Sequence, residues 1–189
     1  MLEKVGPVLA LDPGGKTGSA FWCPPRTPIT DITQLRRHFT YRQIVEDQHH
    51  YGLWKHLCIC LGICDSLPWQ RPWNVPLTIV CESFEFNKED QQRDKIVYIS
   101  AEYVGVVKVF HAEMSRGTYQ LRGEEPRENR VKLVMQPRSL KDGFWKDPEQ
   151  IKKLGLWAPG MPHSMDALRH LLYYACFTLN DSSLYGFLK

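Results

Sequence analysis

Short apolar runs that stop on an acid recur along this chain. Val5 to Asp12 is apolar until Asp12, and Pro13-Gly14-Gly15 follows, which predicts a buried strand and then a tight turn. Thr17 to Trp22 resumes as a second strand. Pro24 to Thr33 is rich in Pro and Thr and reads as a loop. Phe39 to Val45 alternates loosely and can pair back, completing an antiparallel meander. Asp47 to Leu67 has the length and apolar spacing of a helix, and Pro68 to Pro76, with Trp69 and Trp73, reads as a linker. Leu77 to Cys81 is rich in β-formers and runs into Glu82. Asp94 to Met114 predicts a long helix, apolar at Ile96, Ile99, Val104, Val107 and Phe110. Ser115 to Arg130 is a polar loop, and Val131 to Met135 is another short strand. Asp147 to Leu156 fits a short helix with Pro148 in its first turn. Ser164 to Leu179 is a final helix, reached through Pro162.

The order is three strands, helix, strand, helix, strand, helices. Alternation of the later strands with helices implies parallel pairing and a layered α/β fold. A three-stranded meander followed by that alternation is the order of the RNase H-like fold, a central mixed sheet flanked by helices. With 189 residues and no visible repeat, one domain over 1–189 is expected.

Composition narrows the class. Hydrophobic residues at 43% and charged residues at 24% are ordinary for a globular protein and exclude collagen-like or disordered chains. The net charge of +3 does not by itself indicate a nucleic-acid partner, although a local patch can still be strongly basic. No apolar stretch approaches the roughly 18 to 20 residues of a membrane span. The start of the chain does not read as a signal peptide, so a cytoplasmic protein is expected. In that reducing setting Cys23, Cys58, Cys60, Cys64, Cys81 and Cys176 default to free thiols. The run His56-x-Cys58-x-Cys60-x3-Cys64 raises zinc, since His56, Cys60 and Cys64 share a helix face. The absence of a CxxC knuckle and the surrounding Leu and Ile favour core packing.

Three acids stand where chemistry can use them. Asp12 ends the first strand, Glu82 ends the fourth, and Asp166 is expected in the first turn of the last helix. If the first and fourth strands are neighbours, Asp12 and Glu82 come together, and a helix crossing that edge adds Asp166. Clustered carboxylates repel and need a cation at neutral pH. Hard oxygen ligands suit Mg²⁺ or Mn²⁺, two of which, roughly 4 Å apart, serve phosphodiester hydrolysis. Each acid alone is more often a turn or cap residue, and Asp166 can simply favour a helix N-terminus; the combination carries the case. His163, three residues before Asp166, can face the same side, where a His can ligate metal, protonate a leaving group or position water. His170 lies further along that face and reads as a helix-packing residue.

The segments LALDPGGKTGSAFW, TIVCESF and HSMDALRHLLYYA, in that order, resemble the first, second and last motifs of the RuvC-type Holliday junction resolvases. The likeness spans nearly the whole chain. It implies an RNase H-like fold, a homodimer, two Mg²⁺ or Mn²⁺ ions per site and nicking of branched DNA, four-way junctions above all. It carries over Asp12, Glu82 and Asp166 as metal ligands and places His163 where many members have an acid and some a His. The Cys-rich first helix, the Pro/Trp linker and the loop around Gly123 are unlike the bacterial enzymes and look more like a phage-encoded branch.

The segment MQPRSLKDGFWK resembles the family's region after the fifth strand, where a Lys approaches DNA and the reacting phosphate. Lys141 is the better match and Lys146 the second; with Lys16 and Arg138 they form the expected DNA contacts. Arg122, Arg127, Arg130 and Lys132 are further candidates for a phosphate-binding surface, against the alternative of a solvated charged loop. Phe84, Phe86, Phe144 and Trp145 can stack on bases or pack in the core.

Three rival readings stand beside this one. The first motif is similar to the phosphate loop of actin-like ATPases, which need two domains and a longer chain. A non-catalytic junction binder would lack the acids. A flap, fork or RNA–DNA hybrid nuclease of the same fold differs only in substrate geometry.

Overall fold

A computed structural model describes residues 6–25, 30–45, 49–66, 75–83, 94–117, 129–142 and 147–179. The strands are β1 (Val8–Asp12), β2 (Lys16–Trp22), β3 (Phe39–Val45), β4 (Leu77–Glu82) and β5 (Val131–Gln136). They form one five-stranded sheet in the order β3-β2-β1-β4-β5. The β1–β2 and β2–β3 pairs are antiparallel, and β4 joins β1, and β5 joins β4, in parallel. The expected mixed sheet is therefore present.

The helices are α1 (Ile32–Leu35), α2 (His49–Ser66), α3 (Asp94–Ser115), α4 (Pro148–Lys153) and α5 (Pro162–Tyr173), the last running into a π turn over Tyr174–Thr178. They cover both faces of the sheet. Leu9, Leu11, Ile79 and Cys81 pack against Leu53, Leu57, Leu61, Val107 and Phe110 of α2 and α3. Val8, Ala10, Ala20, Trp22 and Val80 pack against Met165, Leu168, Leu171 and Leu172 of α5. Strand side chains alternate faces, so Asp12 continues the Val8–Ala10 face and Glu82 the Val80 face, both toward α5. Strands buried on both sides explain the nearly unbroken apolar runs.

Several boundaries differ from the sequence pattern for local reasons. α1 starts inside the stretch that reads as a loop, Pro24 to Thr33, and runs two residues past it; Asp31 caps it, accepting hydrogen bonds from the Thr33 amide at 2.9 Å and hydroxyl at 2.7 Å. α5 begins at Pro162, whose fixed φ suits the first helical position. Asp166 accordingly sits beyond the first turn, where the helix dipole has faded, which removes the capping explanation for it.

Part of the apolar excess on α3 is buried within the domain, while Val109 is exposed. In the sequence, Tyr98, Ile99, Tyr103 and Val106 add apolar surface to this helix beyond a single stripe, which makes it a candidate dimer interface; Tyr103 is 2% exposed, and Ile99 and Val106 pack against the same core, so these three face the domain's own interior. The side chain of Tyr98 lies outside the described residues. Cys60, Cys81 and Cys176 are buried, as small apolar side chains are. His56 and Cys60 do share a face of α2, Nε2 to Sγ 3.8 Å, while the side chain of Cys64 lies outside the described residues. None of the described helices is long and apolar enough to cross a membrane.

Candidate active site at the carboxyl ends of β1 and β4

Local sequence sets the two strand ends. The apolar runs of β1 and β4 bury their backbones, and each ends on its acid. Leu11 pairs with Cys81, so Asp12 and Glu82 are the next residues on adjacent parallel strands. On the flanking strands, Gly18 pairs with Asp12 and Gln136 with Glu82. Asp12 is only 6% exposed. Burial, and after it the charges of Glu82 and Asp12, hold the Cys81 thiol well above its ordinary range, so both carboxylates lie near enough to act on it.

Helix α5 lies across this edge. His163 Nδ1 is 3.4 Å from Asp12 Oδ2, and His170 Nε2 is 3.0 Å from Glu82 Oε2. Asp166 is three residues after His163 and four before His170, so it falls on the same helical face between the two contacts. Asp166 forms an ion pair with Arg169, one turn on. Arg138, just after β5, places Nε 3.9 Å from Glu82 Oε1.

Three devices seat the amino end of α5. Gly18 has no side chain where the His163 backbone passes, and a Cβ there would lie 2.0 Å from the His163 carbonyl oxygen. The Ser164 hydroxyl donates to the Arg42 carbonyl of β3 at 2.8 Å. The Gln43 amide donates to the Gly160 carbonyl at 3.1 Å.

The donor set, three carboxylates and an imidazole, has the chemistry of a hard divalent cation site. As the side chains lie, no group of three or more His, Cys, Asp or Glu among the described residues is arranged to hold an ion. Each carboxylate instead meets a basic residue: Asp12 meets His163, Glu82 meets His170 and Arg138, and Asp166 meets Arg169. Acids gathered at one place need positive charge near them, and these residues stand where it would be needed.

The structure brings Asp12, Glu82, His163 and Asp166 to one edge and adds Arg138 to its rim. Lys16 is exposed at the start of β2, two residues from Gly18 on the same side of the sheet. Lys141 lies in the 3₁₀ turn Arg138–Asp142 after β5, with its side chain outside the described residues. Lys146, Arg122, Arg127, Phe84, Phe86, Phe144 and Trp145 also lie outside them. Arg130 does not join a phosphate-binding surface: it is 7% exposed and sits before β5, at the opposite end of the sheet from Glu82. Lys132 is exposed near that same far end.

Two residues, Arg169 and Gln136, escape the sequence reading, and His170 is read there for packing alone. Arg169 is one turn from Asp166 on the same helix, a spacing that alone suggests an ion pair. Gln136 is the polar end of an apolar strand, as Asp12 and Glu82 are of theirs. His170 is fully buried, as a packing residue would be, yet it bonds both Glu82 and Gln136.

A β3-β2-β1-β4-β5 sheet with β2 antiparallel and helices on both faces is the RNase H-like fold. Among solved structures the chain is similar to T. thermophilus RuvC in complex with Holliday junction substrate. The TM-score is 0.53 at 16% sequence identity, over 93% of this chain and 96% of that one. No protein-family model and no curated protein matches the chain.

Proposed function

We propose that this protein is a metal-dependent endonuclease that cuts branched DNA, four-way junctions foremost. One observation carries the reading: Asp12 and Glu82 end adjacent parallel strands beneath a helix that sets His163 against Asp12 and His170 against Glu82, with Asp166 between. The fold it shares with a RuvC solved on a Holliday junction supports the choice of substrate.

In this reading Asp12, Glu82 and Asp166 hold two divalent ions, Mg²⁺ or Mn²⁺, and His163 adds a nitrogen ligand or handles a proton. Bound there, such ions supply an activated water and neutralise charge on the leaving 3′ oxygen. Asp12 and His163, 3.4 Å apart, would hold an ion at the β1 end of the site. Glu82, held from behind by His170, faces the rim where Arg138 stands, and Arg138, Lys16 and Lys141 meet the phosphate backbone. One chain carries one such set of acids, whereas resolving a junction takes two nicks, so the active unit is a two-fold homodimer.

The test is a panel of junction, flap, fork and RNA–DNA hybrid substrates, each with Mg²⁺, Mn²⁺ or EDTA. Paired, symmetric nicks in the junction with either ion, and none in EDTA, are expected. Preferential cutting of flaps, forks or hybrids would move the substrate to those structures. Undiminished cutting in EDTA would remove the metal mechanism.

A further inference from the structure

His170 occupies a position where packing alone would favour an apolar residue. Its neighbours along α5, Leu168, Leu171 and Leu172, are fully buried, and so is His170. A buried imidazole loses its hydration and is tolerated only when its nitrogens are bonded. Both are: Nδ1 lies 2.9 Å from Gln136 Oε1 and Nε2 3.0 Å from Glu82 Oε2. With two nitrogens held on opposite sides, the ring cannot turn. The Gln136 amide can present either its oxygen or its nitrogen, so it satisfies Nδ1 while Nε2–H donates to Glu82. Gln136 is itself the register partner of Glu82 across β4 and β5, so strand pairing sets all three groups.

We infer that His170 is a positioning residue that clamps one oxygen of Glu82, with Gln136 locking its ring, so that the Glu82 carboxylate is presented to divalent metal in one orientation. The inference rests on the metal-dependent reading above. It assigns His170 no contact with substrate; its effect passes through Glu82. Residues behind a metal-ligating carboxylate typically contribute 10- to 100-fold in metal affinity or activity.

The experiment measures Mn²⁺ binding to the DNA-free protein by electron paramagnetic resonance of the unbound ion, alongside junction cleavage and thermal melting. His170→Leu keeps the buried volume and removes the clamp. It is expected to weaken Mn²⁺ binding by about 10- to 100-fold and to lower kcat with the KM for junction little changed. His170→Gln retains a donor toward Glu82 and is expected to recover most of the affinity. Equal losses in the two variants, or wild-type affinity in His170→Leu, would overturn the assignment. If His170→Leu does not fold, Gln136→Met decides: it frees only the far nitrogen, so several-fold weaker Mn²⁺ binding is expected and unchanged binding overturns the clamp. A wild-type protein that neither binds Mn²⁺ nor cuts branched DNA would end the proposed function and this inference together. A competent wild type matched by His170→Leu would end this inference alone.

Discussion

A β-carbon on Gly18 would lie 2.0 Å from the carbonyl oxygen of His163. Gly18 faces Asp12 across the β1–β2 ladder, so the missing side chain lets the first turn of α5 settle onto the strand pair that carries Asp12. Gly18→Ala must push that turn away. A displacement near 1 Å at a catalytic group can cost on the order of 100-fold in rate, and overpacking costs about 1–3 kcal/mol of stability. Nicking rates and melting curves check this; a folded Gly18→Ala protein that cuts at the wild-type rate would refute the close-approach argument.

The acids separate cutting from binding. Asp12→Asn, Glu82→Gln and Asp166→Asn are each expected to abolish junction nicking while binding stays intact or tightens, because negative charge facing phosphate is removed. Gel-shift and cleavage assays on the same preparations measure both. Normal cutting by any one of these folded variants strikes that residue from the site.

Arg138 stands 3.9 Å from Glu82 with most of its side chain in solvent, which suits it to meet a phosphate at the rim. Arg138→Ala is expected to weaken junction binding and reduce the slope of log affinity against log salt by about one. An unchanged slope returns Arg138 to the solvated surface.

Acid sensitivity is expected from a residue remote from the chemistry. Burial, aided by the charge of Arg42, lowers His56 from an ordinary 6.5 to about 4. Between those values the unfolded chain binds a proton that the native protein does not. This contribution is therefore complete above pH 6.5 and is lost as pH falls toward 4. His56→Leu should flatten the decline in stability over that window, by on the order of 2 kcal/mol relative to wild type. Denaturant melts at about pH 7, above this window, and at about pH 5.5 and 4.5, inside it, measure the effect; parallel declines would contradict the linkage.

Two copies are expected at the junction. Sedimentation at micromolar concentration, with and without four-way junction DNA, should show a dimer. A protein that stays monomeric in both conditions points to single nicks at flaps or forks.

The architecture was legible in the chain because its signals are local. Apolar runs ended by Asp12 and Glu82, the loose alternation of Phe39 to Val45, and Pro13-Gly14-Gly15 after β1 depend on residues within a few positions of one another. They place all five strands and mark both strand-end acids. The RNase H-like order follows from the order of elements alone. The reach of α5 was less legible: its pattern suggests a start at Ser164, and Pro162 moves it earlier and carries Asp166 out of the first turn. What only the tertiary structure decided is which distant groups meet. His163 and Asp12 are 151 residues apart, His170 and Glu82 88, and His170 and Gln136 34. Periodicity places His170 on a buried helical face and cannot tell a leucine-lined hole from a carboxylate. Likewise the apolar excess of α3 reads as an interface until the core it shares with α2 takes in Tyr103, and Arg130 reads as a phosphate contact until β5 carries it to the far end. Strand order and register make those decisions, and both come from the whole chain closing on its core, since each pairing depends on what lies on the neighbouring strand and the helix above it.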